Sequence, residues 1–246
     1  MKSVVVLGGY GNFGRRIVAS LAREPDCRVF VCGRNAELAT QVAQQEGGAA
    51  EPLSLDCHTQ ELASELRRVG AAIVIHTAGP FQGQSYAVPQ ACIGAGAHYL
   101  DLADGRAFVC GIKTLDAAAR YNDVLVVSGA STLPALSSAV VDSLRSRFSS
   151  IDSIDHGITS GAKPPGQATM TGVLAYAGKP LRQWRAGEWR SAFGWQGITR
   201  RRYPSPVNAR WIAHCDVPDL ELFPERYRPV RSVQFRAGVG LAGSMF

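Results

Sequence analysis

The chain contains no run approaching about 18 continuous apolar residues, which removes a membrane-spanning helix from the expectations. Its opening, MKSVVVLGG, sets one lysine before an apolar run too short for the core of a signal peptide. Cysteines stand at 27, 32, 57, 92, 110 and 215, but no CxxC pair and no CxxH neighbour occurs. That argues against a zinc site, indeed against any metal, and against a disulfide framework. Reduced thiols, and hence a soluble cytoplasmic protein, are the expectation. No finger, RNP or basic-helix motif supports nucleic-acid binding. The one dense basic run, Arg200–Arg202, reads as an exposed strand face. The serine elbow G-x-S-x-G and the HExxH pair are missing as well, so acyl transfer and metalloprotease chemistry lose their support. No tyrosine has a lysine four residues later, as short-chain dehydrogenases require; Tyr176 comes nearest, with Lys179 three along.

What is present suits a globular protein of one large or two modest domains: 246 residues, 46% hydrophobic and 19% charged. A net charge of +6 is compatible with an anionic small-molecule partner. Apolar runs alternate with helical patterns through the first 140 or so residues. Ser3–Leu7, Val29–Cys32, Pro52–Leu55, Ala72–His76, His98–Leu100 and Val124–Val127 read as strands. Phe13–Arg23, Ala36–Gln45, Thr59–Val69, Tyr86–Ala95, Phe108–Arg120 and Leu136–Phe148 read as helices. Strict alternation with runs buried on both sides predicts an α/β doubly wound parallel sheet of Rossmann type.

Gly9, Gly11 and Gly14 form G-x-G-x-x-G directly after the first strand. The first glycine allows the tight turn, the second a close approach of backbone to a pyrophosphate, and the third close packing of helix on strand. The intervening Tyr10, Asn12 and Phe13 complete the loop, and the phosphate sits at the helix N-terminus. The second strand runs out through Cys32, Gly33, Arg34 and Asn35, without the carboxylate that holds an adenine ribose. A guanidinium there matches phosphate oxygens, so Arg34 favours the 2′-phosphate of NADP over NAD; a solvated strand-end arginine is the plainer reading. Asp56 closes the third strand and either touches the adenine or caps the next helix. His76, Thr77, Ala78, Gly79 and Pro80 follow the fourth strand, where ligand crevices form, and should flank ribose and nicotinamide. His76 is a candidate catalytic group, or a strand-end histidine with its bonds satisfied.

The segments GGYGNFG, VCGRN, HTAGPFQGQSYAVPQACIGAGAHYLDLADG and LDAAARYNDVLVVSGASTLPALSSAVVDSL together resemble the saccharopine dehydrogenase family, in its bacterial NADP-binding-domain branch. The resemblance covers residues 1–145 and reaches into the rest through GQATMTGVLAYAGKP, PDLELFPERY and VRSVQFRAG. It implies an NADP-dependent oxidoreductase that moves hydride to or from an imine or carbonyl carbon of a small, amino-acid-like substrate. It also implies that Tyr99–Asp104 lies near substrate or nicotinamide, with Asp101 and Asp104 binding an amine or orienting a water; strand-end caps are the alternative. One departure stands out. Where saccharopine reductases carry an Asp in a Gly-Leu-Asp-Pro-Gly turn, this chain has GASTLPALSS, whose Ser131 and Thr132 offer hydroxyls and no charge. The alternative function is a dinucleotide-binding sensor or scaffold without turnover.

Two domains are expected, residues 1–148 and a smaller α+β domain over 149–246 with an antiparallel sheet. SIDSIDHGITSG reads as a half-exposed strand, Gln167–Ala177 as a helix, and Trp184 and Trp189 as flanking a hairpin turn at Ala186-Gly187. GITRRRY, ARWIA and RSVQFRAG supply further strands, and Arg210 is a candidate clamp for a substrate carboxylate. The four tryptophans pack the sheet, cover a cleft or serve a homodimer interface within 150–240. The tail VGLAGSMF carries no charge, which suggests an incomplete second domain that binds NADPH yet turns over poorly.

Overall fold

The computed structural model describes residues 1–159 and 167–238. The VGLAGSMF tail singled out above, and the AKPPG stretch whose sequence is expected to form a loop, lie outside the described residues. The described chain forms two compact units: Met1–Ala103 with Gly111–Ser131, and Asp104–Cys110 with the residues from Thr132 onward. Compactness thus places the first unit's end before the residue-148 boundary expected from sequence, and assigns Asp104–Cys110 to the second unit.

In the first unit β1 (Lys2–Leu7), α1 (Gly14–Leu21), β2 (Cys27–Gly33), α2 (Ala36–Gln45), β3 (Ala50–Ser54), α3 (Leu62–Arg68), β4 (Ala71–His76), α4 (Ala87–Gly94) and β5 (His98–Asp101) alternate as the hydrophobic runs require. β6 (Val126–Val127) closes a six-stranded parallel sheet in the order β3-β2-β1-β4-β5-β6. Both faces are dry. Val5, Leu7, Cys32, Val74 and Tyr99 pack with Leu62 and Leu66 of α3 and Val88 and Cys92 of α4. Val6, Val29 and Val31 pack on Val18 of α1 and on Ala39 and Val42 of α2. β-branched residues populate the central strands, where burial on both faces favours them. The order reverses between β1 and β4, the point at which such sheets open a crevice beyond their carboxyl edge.

The helix expected over Phe108–Arg120 is two: α5 (Arg106–Gly111) belongs largely to the second unit, and α6 (Asp116–Tyr121) to the first, with a 3-10 turn between. Gly111 breaks the pattern, and a Cβ there would lie 2.4 Å from the Tyr86 hydroxyl.

The second unit contains α7 (Ser137–Leu144), β7 (Ser153–Thr159), α8 (Gln167–Leu174), β8 (Pro180–Arg185), β9 (Glu188–Phe193), β10 (Thr199–Arg202), β11 (Ala209–His214), α9 (Asp219–Arg226) and β12 (Ser232–Gly238). Its sheet runs β10-β11-β12-β8-β9 in antiparallel fashion, while β7 joins β12 in parallel. The β8–β9 hairpin turns at Ala186 and Gly187, both with positive φ, and its Trp184 and Trp189 pack edge to face at 5.2 Å. Leu220 and Phe223 of α9 bury against Ile154, Val233 and Phe235, forming the unit's core.

Candidate dinucleotide-binding site

The loop after β1 is shaped by side chains it does not have. A Cβ on Gly14 would sit 2.1 Å from the Gly8 carbonyl oxygen and 2.8 Å from Gly9 Cα, both backbone atoms that cannot swing aside. One on Gly9 would meet Val31 at 2.9 Å and the Val6 carbonyl at 3.0 Å. Gly8 N–H and Gly9 N–H both donate to the Cys32 carbonyl, and Gly11 N–H donates to Gly8. The N–H groups of Asn12, Phe13 and Gly14 have no backbone acceptor among the described residues, and no side chain caps α1. Unpaired donors at a helix start, with backbone exposed by glycine, suit the oxygens of a pyrophosphate. The loop therefore fits a dinucleotide.

Tyr10 turns back onto the end of β2. Its ring lies where a Gly33 side chain would be, 2.3 Å from that position, and its hydroxyl accepts the Asn35 N–H at 3.2 Å. Asn35 itself caps α2, its Oδ1 accepting from Leu38 N–H at 2.9 Å. Arg34 is exposed and makes no hydrogen bond or ion pair among the described residues, which leaves its fork open to an anion. Asp56 does not cap α3. Its Oδ1 accepts from His58 N–H at 3.0 Å, closing a local turn well before that helix begins at Leu62. Ligand atoms of Asp56, Cys57 and His58 come within 4.8 Å of one another, but burial raises the Cys57 thiol and opposes the thiolate a metal would need.

Beyond β4, Thr77 Oγ1 donates to the Leu7 carbonyl at 2.8 Å, tying the loop to β1. Gln84 Nε2 donates to the Ala78 carbonyl at 3.0 Å and to the Pro80 carbonyl at 2.7 Å, holding the Ala78-Gly79-Pro80 turn. Sequence reasoning missed Gln84; an amide following a Gly-Pro turn was the available signal.

His76 and Asp101 are register partners on β4 and β5, so they share one face of the sheet. Both are completely buried. His76 Nδ1 lies 3.0 Å from the hydroxyl of Tyr99, also buried, and Phe81 packs edge-on to the imidazole at 5.0 Å. Burial, then His58 nearby, lowers the His76 pKa to about 4, so the ring is neutral at physiological pH. Asp101 Oδ1 accepts from Ala103 N–H at 2.9 Å, Gly129 N–H at 2.8 Å and Ser128 Oγ at 2.9 Å. Burial still raises its pKa, against the pull of these donors. Asp101 Oδ2, buried too, has no hydrogen-bond partner among the described residues. Which of Nδ1 and the Tyr99 hydroxyl donates follows from the imidazole tautomer. His76 Nε2 is buried and has no hydrogen-bond partner among the described residues. Asp104 belongs to the second unit, near Tyr176 and Cys215. Tyr176 and Cys215 meet at 2.6 Å.

The second unit also holds a cleft of about 520 Å³ lined by residues that include Arg106, Cys110, Arg182, Asp216 and Glu221. Arg106 spends its guanidinium there on Asp216 at 3.1 Å and on Glu221.

No curated protein sequence matches the chain. Among solved structures, apo saccharopine dehydrogenase (L-Glu forming) from Saccharomyces cerevisiae superposes with a TM-score of 0.73 at 15% identity, over 97% of this chain and 55% of that one. This chain thus spans little more than half that protein's length. Biliverdin reductase from Synechocystis sp. PCC 6803, solved with biliverdin and NADP+, gives 0.51 at 12% identity over 98% and 72% of the two chains. GenD2 from gentamicin A biosynthesis, solved with NAD, gives 0.51 at 19% over 97% and 65%. At such identities these likenesses speak for the fold. The family model described as saccharopine dehydrogenase NADP binding domain matches residues 4–142, more than half of the sequence, and the chain belongs to that family.

Proposed function

We propose that the protein is an NADP-dependent oxidoreductase acting on an imine or carbonyl carbon of a small, amino-acid-like substrate. The observation that carries the reading is the cradle after β1: three glycines whose Cβ atoms would strike backbone or core, opening onto unpaired N–H groups. Arg34, exposed beside it at the end of β2, takes the 2′-phosphate in place of a carboxylate that would repel it. When bound, the nicotinamide supplies or accepts the hydride. Thr77, Ala78, Gly79 and Pro80 form the wall beside it, held by Gln84.

Buried His76 and Tyr99, with Asp101 beside His76 in register, act by positioning. Asp101 gathers the Ser128–Gly129 turn with two of its three accepted hydrogen bonds and, with the third, from Ala103 N–H, fixes the carboxyl end of β5. Of the three candidate acid-base groups, Asp104 alone is only partly buried, and it is the one proposed to meet a substrate amine or water. Exposure of Phe193, Ile198 and Trp211 supports a homodimer through the second unit. The sensor reading draws on one observation, that both His76 and Asp101 are withdrawn from the surface.

Two measurements test the proposal. NADPH should bind more tightly than NADH by fluorescence titration, and Arg34→Ala should close most of a gap of about 10- to 100-fold. Equal affinities in the unsubstituted protein would remove the NADP assignment. Steady-state oxidation of NADPH with a panel of imine and keto acids should show turnover; tight binding with none would leave the sensor reading in place.

A further inference from the structure

The sheet of the second unit has two unlike faces. Val233, Phe235 and Ala237 of β12 point toward α9, so Gln234 and Arg236 point away. In register with them stand Asp155 on β7, opposite Gln234, and His214 on β11, opposite Arg236. Gln183 and Arg185 of β8 reach the same side, since Gln183 Nε2 lies 3.1 Å from His214 Nδ1. Arg201 of β10 reaches it through its ion pair with Asp155.

Charge on this face does not balance. Five guanidinium groups, of Arg185, Arg190, Arg201, Arg210 and Arg236, stand there with two carboxylates: Asp155 pairs with Arg201 and, at 3.3 Å, with Arg236, while Glu188, opposite Arg185, pairs with Arg190 at 3.4 Å. Arg185 directs Nε and Nη2 at the neutral Gln183 Oε1, at 3.0 and 2.5 Å. Arg236 gives Nη2 to Gln234 Oε1 at 3.1 Å, and its buried Nε has no partner among the described residues. The Arg236 side chain is only 15% exposed, so water compensates it poorly. Burial first, then Arg236 and Arg190, lowers the pKa of Arg185, a sign of cations crowded together. Burial, then the same Arg236 and Arg185, holds His214 at about 4 and keeps it neutral.

We propose that this face, centred on Arg185 and Arg236, binds a small oxyanion, a carboxylate or a phosphate, distinct from the dinucleotide. Guanidinium forks match both groups in planar, bidentate fashion, and an anion here would neutralise charge left unpaired among the described residues. The site uses residues of the second unit only and does not depend on the oxidoreductase reading.

Calorimetric titration of the full chain tests it, with succinate in one arm and inorganic phosphate in the other, at ionic strength fixed by sodium chloride. The phosphate arm is run with NADPH saturating the glycine loop, so that phosphate held by its N–H groups or by Arg34 does not contribute. Saturable one-to-one binding is expected in at least one arm, and the stronger arm identifies the source. Arg185→Gln should weaken it by about tenfold or more, Arg185→Lys by less, and the distant Arg68→Gln not at all. Circular dichroism melting confirms that each variant is folded; if Arg185→Gln is not, Arg236→Lys takes its place. No saturable heat in either arm, or undiminished binding by the folded variant, would overturn the proposal.

Discussion

The glycine loop of the first unit and the arginine face of the second offer two different surfaces to an anion. The loop does so by leaving side chains out, so that backbone N–H groups, already fixed by the fold, stand uncovered. The sheet face does so by crowding long side chains together, at a cost in rotamer freedom and like-charge repulsion. The first device depends on close backbone packing and tolerates almost no added volume. The second is supported from below, by an apolar core that never touches the ligand. Each should fail in its own way.

The largest effect is expected beneath the arginine face. Phe223 is fully buried among Leu220, Val233 and Phe235, and its ring stacks on His156 at 5.2 Å. Phe223→Ala should destabilise the second unit by about 3–5 kcal/mol, the usual cost of emptying an aromatic site in a packed core. Chemical denaturation would show this as an earlier transition. NADPH affinity should stay within about twofold, because every contact of the glycine loop described above is made inside the first unit. A parallel loss of nucleotide binding would break the contrast between the two regions.

A second effect, about 3 kcal/mol at most, belongs to the buried histidine of the first unit. His76 titrates at about 4 in the fold against an ordinary 6.5. The unfolded chain therefore binds its proton first as pH falls. The stability contributed by the neutral ring is complete above about 6.5 and is lost as pH drops toward 4. Asp101, raised by burial, works in the opposite direction at the lower end of that window. Urea denaturation between pH 7 and 4.5 should show a decline that His76→Gln reduces, His214 of the second unit supplying the rest. An identical decline in that variant would place the sensitivity elsewhere.

How much of this was legible in the sequence follows the same division. β-branched runs and three glycines at fixed spacing carry the parallel sheet and its loop, because burial on both faces leaves few residue types that fit. The six strands of the first unit lie close to their expected bounds for that reason. The helix α9 was not foreseen: Pro224 interrupts PDLELFPERY, and its Leu220 and Phe223 announce a helix only once β12 stands beneath them. Parallel pairing of β7 with β12 was equally hidden, since an alternating strand does not reveal its partner's direction. At the site, the polar character of His76 and Asp101 was legible and their burial was not. Nothing in HTAG or HYLDLADG says that His76 meets the Tyr99 hydroxyl, because that contact is made across strands.

The smallest effect separates a structural residue from a binding one. Asn35 lies beside Arg34 and was expected to contact the dinucleotide, yet its side chain accepts the Leu38 N–H and its own N–H donates to the Tyr10 hydroxyl. Its side-chain work is that of an N-cap, worth about 1 kcal/mol when replaced by alanine. Asn35→Ala should lower stability by that amount in urea denaturation. The NADPH-to-NADH preference is a ratio, in which any general loosening of the loop largely cancels, and it should be unchanged. Tyr10→Phe removes the acceptor of the Asn35 N–H but keeps the ring over Gly33, and should cost less still. A fall in the preference ratio with Asn35→Ala, comparable to that of Arg34→Ala, would show that the amide reads the 2′-phosphate beside the arginine.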